Sequence, residues 1–171
     1  MKRMFLHKAE AVIVALLFLS VSITGALAGD WAVAGDGCKV WNPHPTGGET
    51  IRWAGGCKDG FVEGIGTLEW QRGGKAYERD EGRWRSGRQI SGSQVWPGGQ
   101  YDGQFADSLP NGRGILIFGD ARYEGLFANG KPNGKGTLTN ASGSFDGNWA
   151  DGCFNDGKRR AAMGVSLQSC P

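Results

Sequence analysis

Beyond residue 50 the chain repeats one pattern of aromatic, glycine and apolar positions every 21 to 22 residues. Tyr101, Tyr123 and Phe145 lie 22 apart, each followed two residues later by glycine. Numbered from this leading position, units start at Trp53, Asp80, Tyr101, Tyr123 and Phe145, separated by 27, 21, 22 and 22 residues. The third position is always glycine: Gly55, Gly82, Gly103, Gly125 and Gly147. The fifth holds Cys57, Trp84, Phe105, Phe127 and Trp149. Position sixteen reads Leu68, Val95, Leu116 and Leu138 in the four complete units, which supports the same register independently.

Positions one, three and five share a face of a strand, and so do twelve, fourteen and sixteen. The twelfth and fourteenth are Gly64 and Gly66, Gly112 and Gly114, Gly134 and Gly136. Between the two halves stand turn signals: Asp59-Gly60, Pro110-Asn111-Gly112 and Pro132-Asn133-Gly134. Each unit therefore reads as a β-hairpin, and a unit too small to bury its own apolar face must stack on its copies. Glycine inside a strand costs entropy and packs nothing, so it needs a reason. The expectation is that rings from positions one and five lie flat over the bare backbone of the neighbouring strand.

Tyr101-Asp-Gly-Gln-Phe105 with Asn111-Gly-Arg-Gly114, and Tyr123-Glu-Gly-Leu-Phe127 with Asn129-Gly130 and Asn133-Gly-Lys-Gly136, resemble MORN repeats. The Trp53 unit matches less well, with cysteine at position five. The Asp80 unit has Ser91 and Ser93 where the paired glycines stand elsewhere, and the Phe145 unit stops after Asp151-Gly152. The resemblance spans residues 51–157, about five repeats, and implies an elongated, twisted antiparallel sheet used for protein contacts, self-association or, in some members, lipid contact. The expected fold is all-β: a single-layer antiparallel sheet of stacked hairpins with disulfide-capped ends.

The N-terminus changes the charge argument. Lys2, Arg3 and Lys8 precede an apolar run from Ala11 to Leu19, then hydroxyl residues and Ala26-Leu27-Ala28. That order is a signal peptide over residues 1–28, the rival being an uncleaved membrane anchor. Cleavage removes three of nineteen basic and one of seventeen acidic residues, leaving sixteen of each and no net charge. No electrostatic footprint for nucleic acid or an anionic membrane remains. The expected location is secreted or periplasmic.

Cys38, Cys57, Cys153 and Cys170 all lie in the exported part, so disulfides are expected. Three pairings are open in principle. Ten stacked strands about 4.8 Å apart separate the ends by roughly 45 Å, whereas a disulfide needs Cα atoms within about 7 Å. That leaves Cys38 with Cys57 and Cys153 with Cys170, tying down cap segments at residues 29–50 and 158–171. Cys38-Lys-Val-Trp41 and Gly164-Val-Ser-Leu167 read as the capping strands.

Candidate chemistry is thin. Glu81, Asp102, Glu124 and Asp146 recur at position two, but equivalent positions sit about 9.6 Å apart, too far for one calcium ion to bridge. Pairing with Arg113 and Lys135 at position thirteen is the simpler expectation. His44, between two prolines, reads as an exposed loop residue rather than a catalytic base. Glu63, Glu69 and Glu78 are available as paired carboxylates, but a single layer offers no cleft to raise one pKa. No catalytic residue, metal or cofactor is assigned. Trp84, Tyr101, Phe105, Tyr123, Phe127 and Trp149 form the candidate binding face. The expected function is non-enzymatic scaffolding that binds a protein or cell-envelope component. Carbohydrate binding by aromatics and peripheral membrane association are the alternatives, and self-association is a further partner class.

Overall fold

The computed structural model describes residues 29–171, so the signal-peptide expectation lies outside the described residues. Thirteen strands follow in chain order: β1 (Asp30–Val33), β2 (Lys39–Asn42), β3 (Glu49–Lys58), β4 (Phe61–Arg72), β5 (Lys75–Arg85), β6 (Arg88–Trp96), β7 (Gly99–Ala106), β8 (Leu109–Phe118), β9 (Ala121–Ala128), β10 (Lys131–Asn140), β11 (Gly143–Ala150), β12 (Cys153–Asn155) and β13 (Arg160–Ala162). A single 3-10 turn, Leu167–Ser169, closes the chain. The strands form one open sheet in which β3 to β13 pair with their sequence neighbours in antiparallel hairpins. This is the expected fold class.

Two-residue turns drive the hairpins. Asp59-Gly60, Ser86-Gly87, Asn129-Gly130 and Asp151-Gly152 all hold positive φ at both residues. That geometry matches the right-handed twist of the flanking strands. Asp59-Gly60 is thus a turn as expected, but Pro110-Asn111-Gly112 and Pro132-Asn133-Gly134 are not. They lie inside β8 and β10, after the actual turns at Asp107-Ser108 and Asn129-Gly130. Gly112 and Gly134, at φ +83° and +99°, sit where the pairing register slips. Their left-handed backbone serves a β-bulge, with no ring to cover them.

The remaining glycines make a ladder across nine strands. Gly55, Gly66, Gly82, Gly92, Gly103, Gly114, Gly125, Gly136 and Gly147 face one another in unbroken register from β3 to β11. Rings from position one lie over it: a Cβ at Gly136 would stand 2.1 Å from the Tyr123 hydroxyl, at Gly114 2.3 Å from that of Tyr101, and at Gly66 2.3 Å from the Trp53 ring. Position five behaves otherwise. Phe105, Phe127 and Trp149 stand edge-on to the tyrosine rings, with centroids 5.0–5.2 Å apart.

The Asp80 unit keeps the ladder despite its serines. Its bulge, between Arg83 and Trp84, carries one extra residue where the others carry two, so the missing residue brings Gly92 opposite Gly82 and Gly103. The same slip moves Val95 off the inner face, where it is 47% exposed, and puts Gln94 opposite Asp80 and Tyr101. Position sixteen is therefore inward only in the 22-residue units and the first.

Two cores result. One joins Tyr101, Phe105, Tyr123, Phe127, Leu138, Phe145, Trp149 and Phe154. The other joins Ala34, Cys38 and Val40 to Ile51, Val62, Leu68, Trp70 and Trp84. Both expected disulfides form, Cys38–Cys57 and Cys153–Cys170. They suggest an oxidising, exported environment. Among the described residues no helix is long and apolar enough to cross a membrane.

The caps differ from expectation. Lys39–Asn42 is a strand, but it does not extend the sheet past β3. It meets β4 through one parallel bridge, Lys39 with Phe61, beside the Ser86-Gly87 turn. Arg88 lies about 5 Å from both the Trp31 and Trp41 rings, which holds the segment down. Gly87 is forced at this junction: φ is +78°, and a Cβ would strike the Trp31 ring at 2.6 Å. At the other end Gly164–Leu167 is no strand. The chain bends there into the 3-10 turn capped by Ser166, and Arg160–Ala162 is the closing strand.

Candidate cleft between the cap and the second repeat unit

The register places Trp53, Leu68, Asp80, Gln94, Tyr101, Leu116, Tyr123, Leu138 and Phe145 in one line across the inner face. Every complete unit but one contributes an aromatic ring and a leucine. The Asp80 unit contributes a carboxyl and a carboxamide. Asp80 is 2% exposed and Gln89, opposite Trp84 on β6, is 1% exposed. A polar patch thus separates the two apolar cores.

The folded-back cap roofs this patch. Residues 40–44 and Glu49, the inner faces of β4 to β6, and residues 108–110 with Gly130 line a cleft of about 370 Å³, walled by Trp41, Trp70, Tyr77, Trp84 and Trp96 with Glu49, Glu78, Gln89 and Gln94. Glu49 ties roof to floor. It accepts hydrogen bonds from Asn42 Nδ2 (3.1 Å), Thr46 N (3.1 Å), Arg72 (3.1 Å) and the Tyr77 hydroxyl. Burial works to raise its pKa, but bonds from Thr46, Tyr77 and Arg72 outweigh it and bring the carboxyl to about 2.

Glu78 and Asp80 go the other way. Burial first, and then the Glu49 charge, push Glu78 up to about 7. Burial, and then the Glu78 charge, hold Asp80 well above the carboxylate range, although hydrogen bonds from Trp70 and Gln94 oppose it. Trp70 Nε1 donates to Asp80 Oδ2 at 3.0 Å, while Oδ1 has no hydrogen-bond partner among the described residues. Gln89 Nε2 reaches the carbonyls of Glu81 and Ser93 at 3.4 Å, leaving its Oε1 equally unpaired. A single layer was expected to offer no such cleft. It exists because the cap makes a second layer over one end.

The other candidate residues are dispersed. All six rings of the expected binding face, Trp84, Tyr101, Phe105, Tyr123, Phe127 and Trp149, are buried core. Only Trp84 touches the cleft. Glu63 accepts from Ser86 N at 2.8 Å and Glu69 pairs with Arg79 at 3.1 Å. The position-two acids do not pair with Arg113 and Lys135. The register sets Asp102, Glu124 and Asp146 opposite Ile115 or Thr137 and Glu81 opposite Thr67 and Ser93, and Glu81, Glu124 and Asp146 bond Arg79, Arg122 and Thr137 instead. Among the described residues no group of three or more His, Cys, Asp or Glu side chains is placed to hold a metal. His44 is exposed, as expected, at the rim of the cleft. Gln89 and Gln94 carry no sequence signal of their own. The visible signal was Asp80, the one leading position without a ring.

The sequence model of the MORN repeat matches residues 101–120 and 123–145. Over those two stretches the chain is similar to the MORN repeat. Those matched stretches are the two units with tyrosine at position one, spanning β7 to the start of β11. The MORN hairpin and its glycine ladder nevertheless run on through the Trp53 and Asp80 units, so the architecture is more even than the sequence. No curated protein matches the chain. MORN repeats build a β-hairpin scaffold, and here the irregular unit is the one the cap covers.

Proposed function

We propose that this protein is an exported, non-enzymatic MORN scaffold whose binding site is the cleft between its N-terminal cap and the Asp80 unit. The ligand class is a protein segment or a cell-envelope component. The carrying observation is the coincidence of place: the only leading position without an aromatic, Asp80, is buried against Trp70 and opposite Gln94, and both of these line the cleft that Asn42, Pro43, His44 and Glu49 cover. A cavity of about 370 Å³ is within the size range of small-ligand sites. The other rings of the expected binding face are buried, over glycine or edge-on to one another, and offer no surface. Retention of an envelope component on immobilised protein, reduced by Trp96→Ala but not by Arg113→Ala on the outer face, supports this reading. Equal retention by both variants, with unchanged circular dichroism, removes the cleft as the site.

Carbohydrate binding is the second reading, favoured by the five aromatic rings that wall the cleft. Soluble envelope glycans then shift tryptophan fluorescence in the wild type and not in Trp96→Ala.

A further inference from the structure

Hydrogen-bonding capacity in the cleft is unevenly spent. Four donors around it are already used: Trp70 Nε1 on Asp80, Asn42 Nδ2 and the Tyr77 hydroxyl on Glu49, and Gln89 Nε2 on backbone carbonyls. Acceptors are left over. Gln89 Oε1 is buried, unpaired among the described residues, and belongs to a side chain lining the cleft, with Asp80 Oδ1 unpaired behind it. A buried acceptor without a donor costs about 1–3 kcal/mol. The Glu78 carboxyl adds negative charge on the same wall. No lysine or arginine is among the residues that line the cleft. Indole and phenol rings complete the wall, and their faces attract cations.

From this we infer that the cleft holds a small organic ammonium group, its N–H donors directed to Gln89 Oε1 and the Glu78 carboxyl and its methylene chain lying against Trp70 and Trp96. The inference deepens the proposed function and rests on the cleft being the binding site. An ammonium ion brings donors alone, and Gln89 Oε1 and the Glu78 carboxyl can accept them. It also offsets the repulsion between the Glu49 and Glu78 carboxylates. The same chemistry is offered by a free alkylamine and by a lysine side chain, and the cleft is sized for either.

The test is tryptophan fluorescence and calorimetric titration of the disulfide-bonded protein with cadaverine and N-acetyl-lysine amide, beside pentanol and glucose as neutral controls. Saturable binding of an amine, with pentanol and glucose silent, is expected. Tighter binding of cadaverine assigns a free amine, and tighter binding of the lysine derivative assigns a side chain. Glu78→Gln and Gln89→Leu should each weaken the amine about tenfold or more. Glu78 is only half-buried, so its variant keeps the test open if Gln89→Leu fails to fold. Amine binding unchanged in Glu78→Gln, or saturation by glucose and not by amines, overturns the inference. Silence toward every amine while Trp96→Ala still abolishes retention of an envelope component overturns the ammonium ligand and leaves the cleft standing. If that retention also survives Trp96→Ala, the cleft itself is wrong.

Discussion

The Tyr123 and Asp80 units share a backbone and differ in what fills it. In the first, Tyr123 lies over Gly125 and Gly136, donates its hydroxyl to the Leu126 carbonyl at 3.1 Å, and is flanked edge-on by Phe127 and Trp149. In the second, Asp80 faces Gln94 at the same register point, and the Gly82–Gly92 step has no ring above it. Yet the pairing continues through both. The hairpin geometry is therefore set by turns, bulges and backbone approach, while the ring supplies burial. Where burial is supplied from outside, by a cap, the ring can be given up and the position made polar.

Tyr123→Ala gives the largest break in that comparison. The side chain is fully buried, so the loss should be about 3–5 kcal/mol by urea unfolding. A loss below about 1 kcal/mol would mean that the glycine ladder needs no cover anywhere. Gly136→Ala attacks the same contact from below. The new Cβ meets the Tyr123 ring, and displacing it should cost about 2–3 kcal/mol. Gly60→Ala offers the contrasting case, because a Cβ there meets nothing and only the φ of +78° opposes it.

The Asp80 side is sharpened by pH. Glu78 titrates near 4.5 when unfolded and near 7 when folded. Between those values the folded state binds more protons, so this contribution is complete below about pH 4.5 and is lost as pH rises through 7. After allowance for the solvent contact Glu78 retains, stability should fall by about 1–2 kcal/mol from pH 5 to 8. Glu78→Gln should flatten the profile; a slope that persists would assign it elsewhere. Glu49 has the opposite sign: its contribution is present above about 4.5 and is lost only as pH falls toward 2, so the two windows do not overlap. Val95→Thr, at the site that slipped to the outer face, should change stability by less than about 0.5 kcal/mol, against several for Leu138→Ala at the corresponding inward site. Comparable losses at the two would restore Val95 to the core.

Much of the fold was legible because its signals are local. A glycine two residues after an aromatic, an Asn-Gly or Asp-Gly pair, and a leucine in step with both are all read within one unit. The disulfide pairing followed from distance along the stack alone. Two of the three expected turns were misplaced by a few residues because a bulge glycine and a turn glycine look alike in sequence, both needing positive φ. Gly92 was missed for a related reason: its match to the ladder depends on how many residues the bulge absorbs. The cleft was not legible. It needs the cap to lie back across β4 to β6, and nothing in the pattern of residues 29–50 says which face or edge that segment will meet.

The sequence by itself determined the repeat, the hairpins and the cross-links, since each rests on short-range steric rules or on a distance that strand stacking dictates. Tertiary structure alone decided that Asp80 and Gln89 would be buried and that Gln89 and Gln94 would line a cleft with Trp41 and Glu49. That outcome depends on contacts between segments some 40 residues apart along the chain, made at a sheet end where the cap found exposed apolar surface to cover.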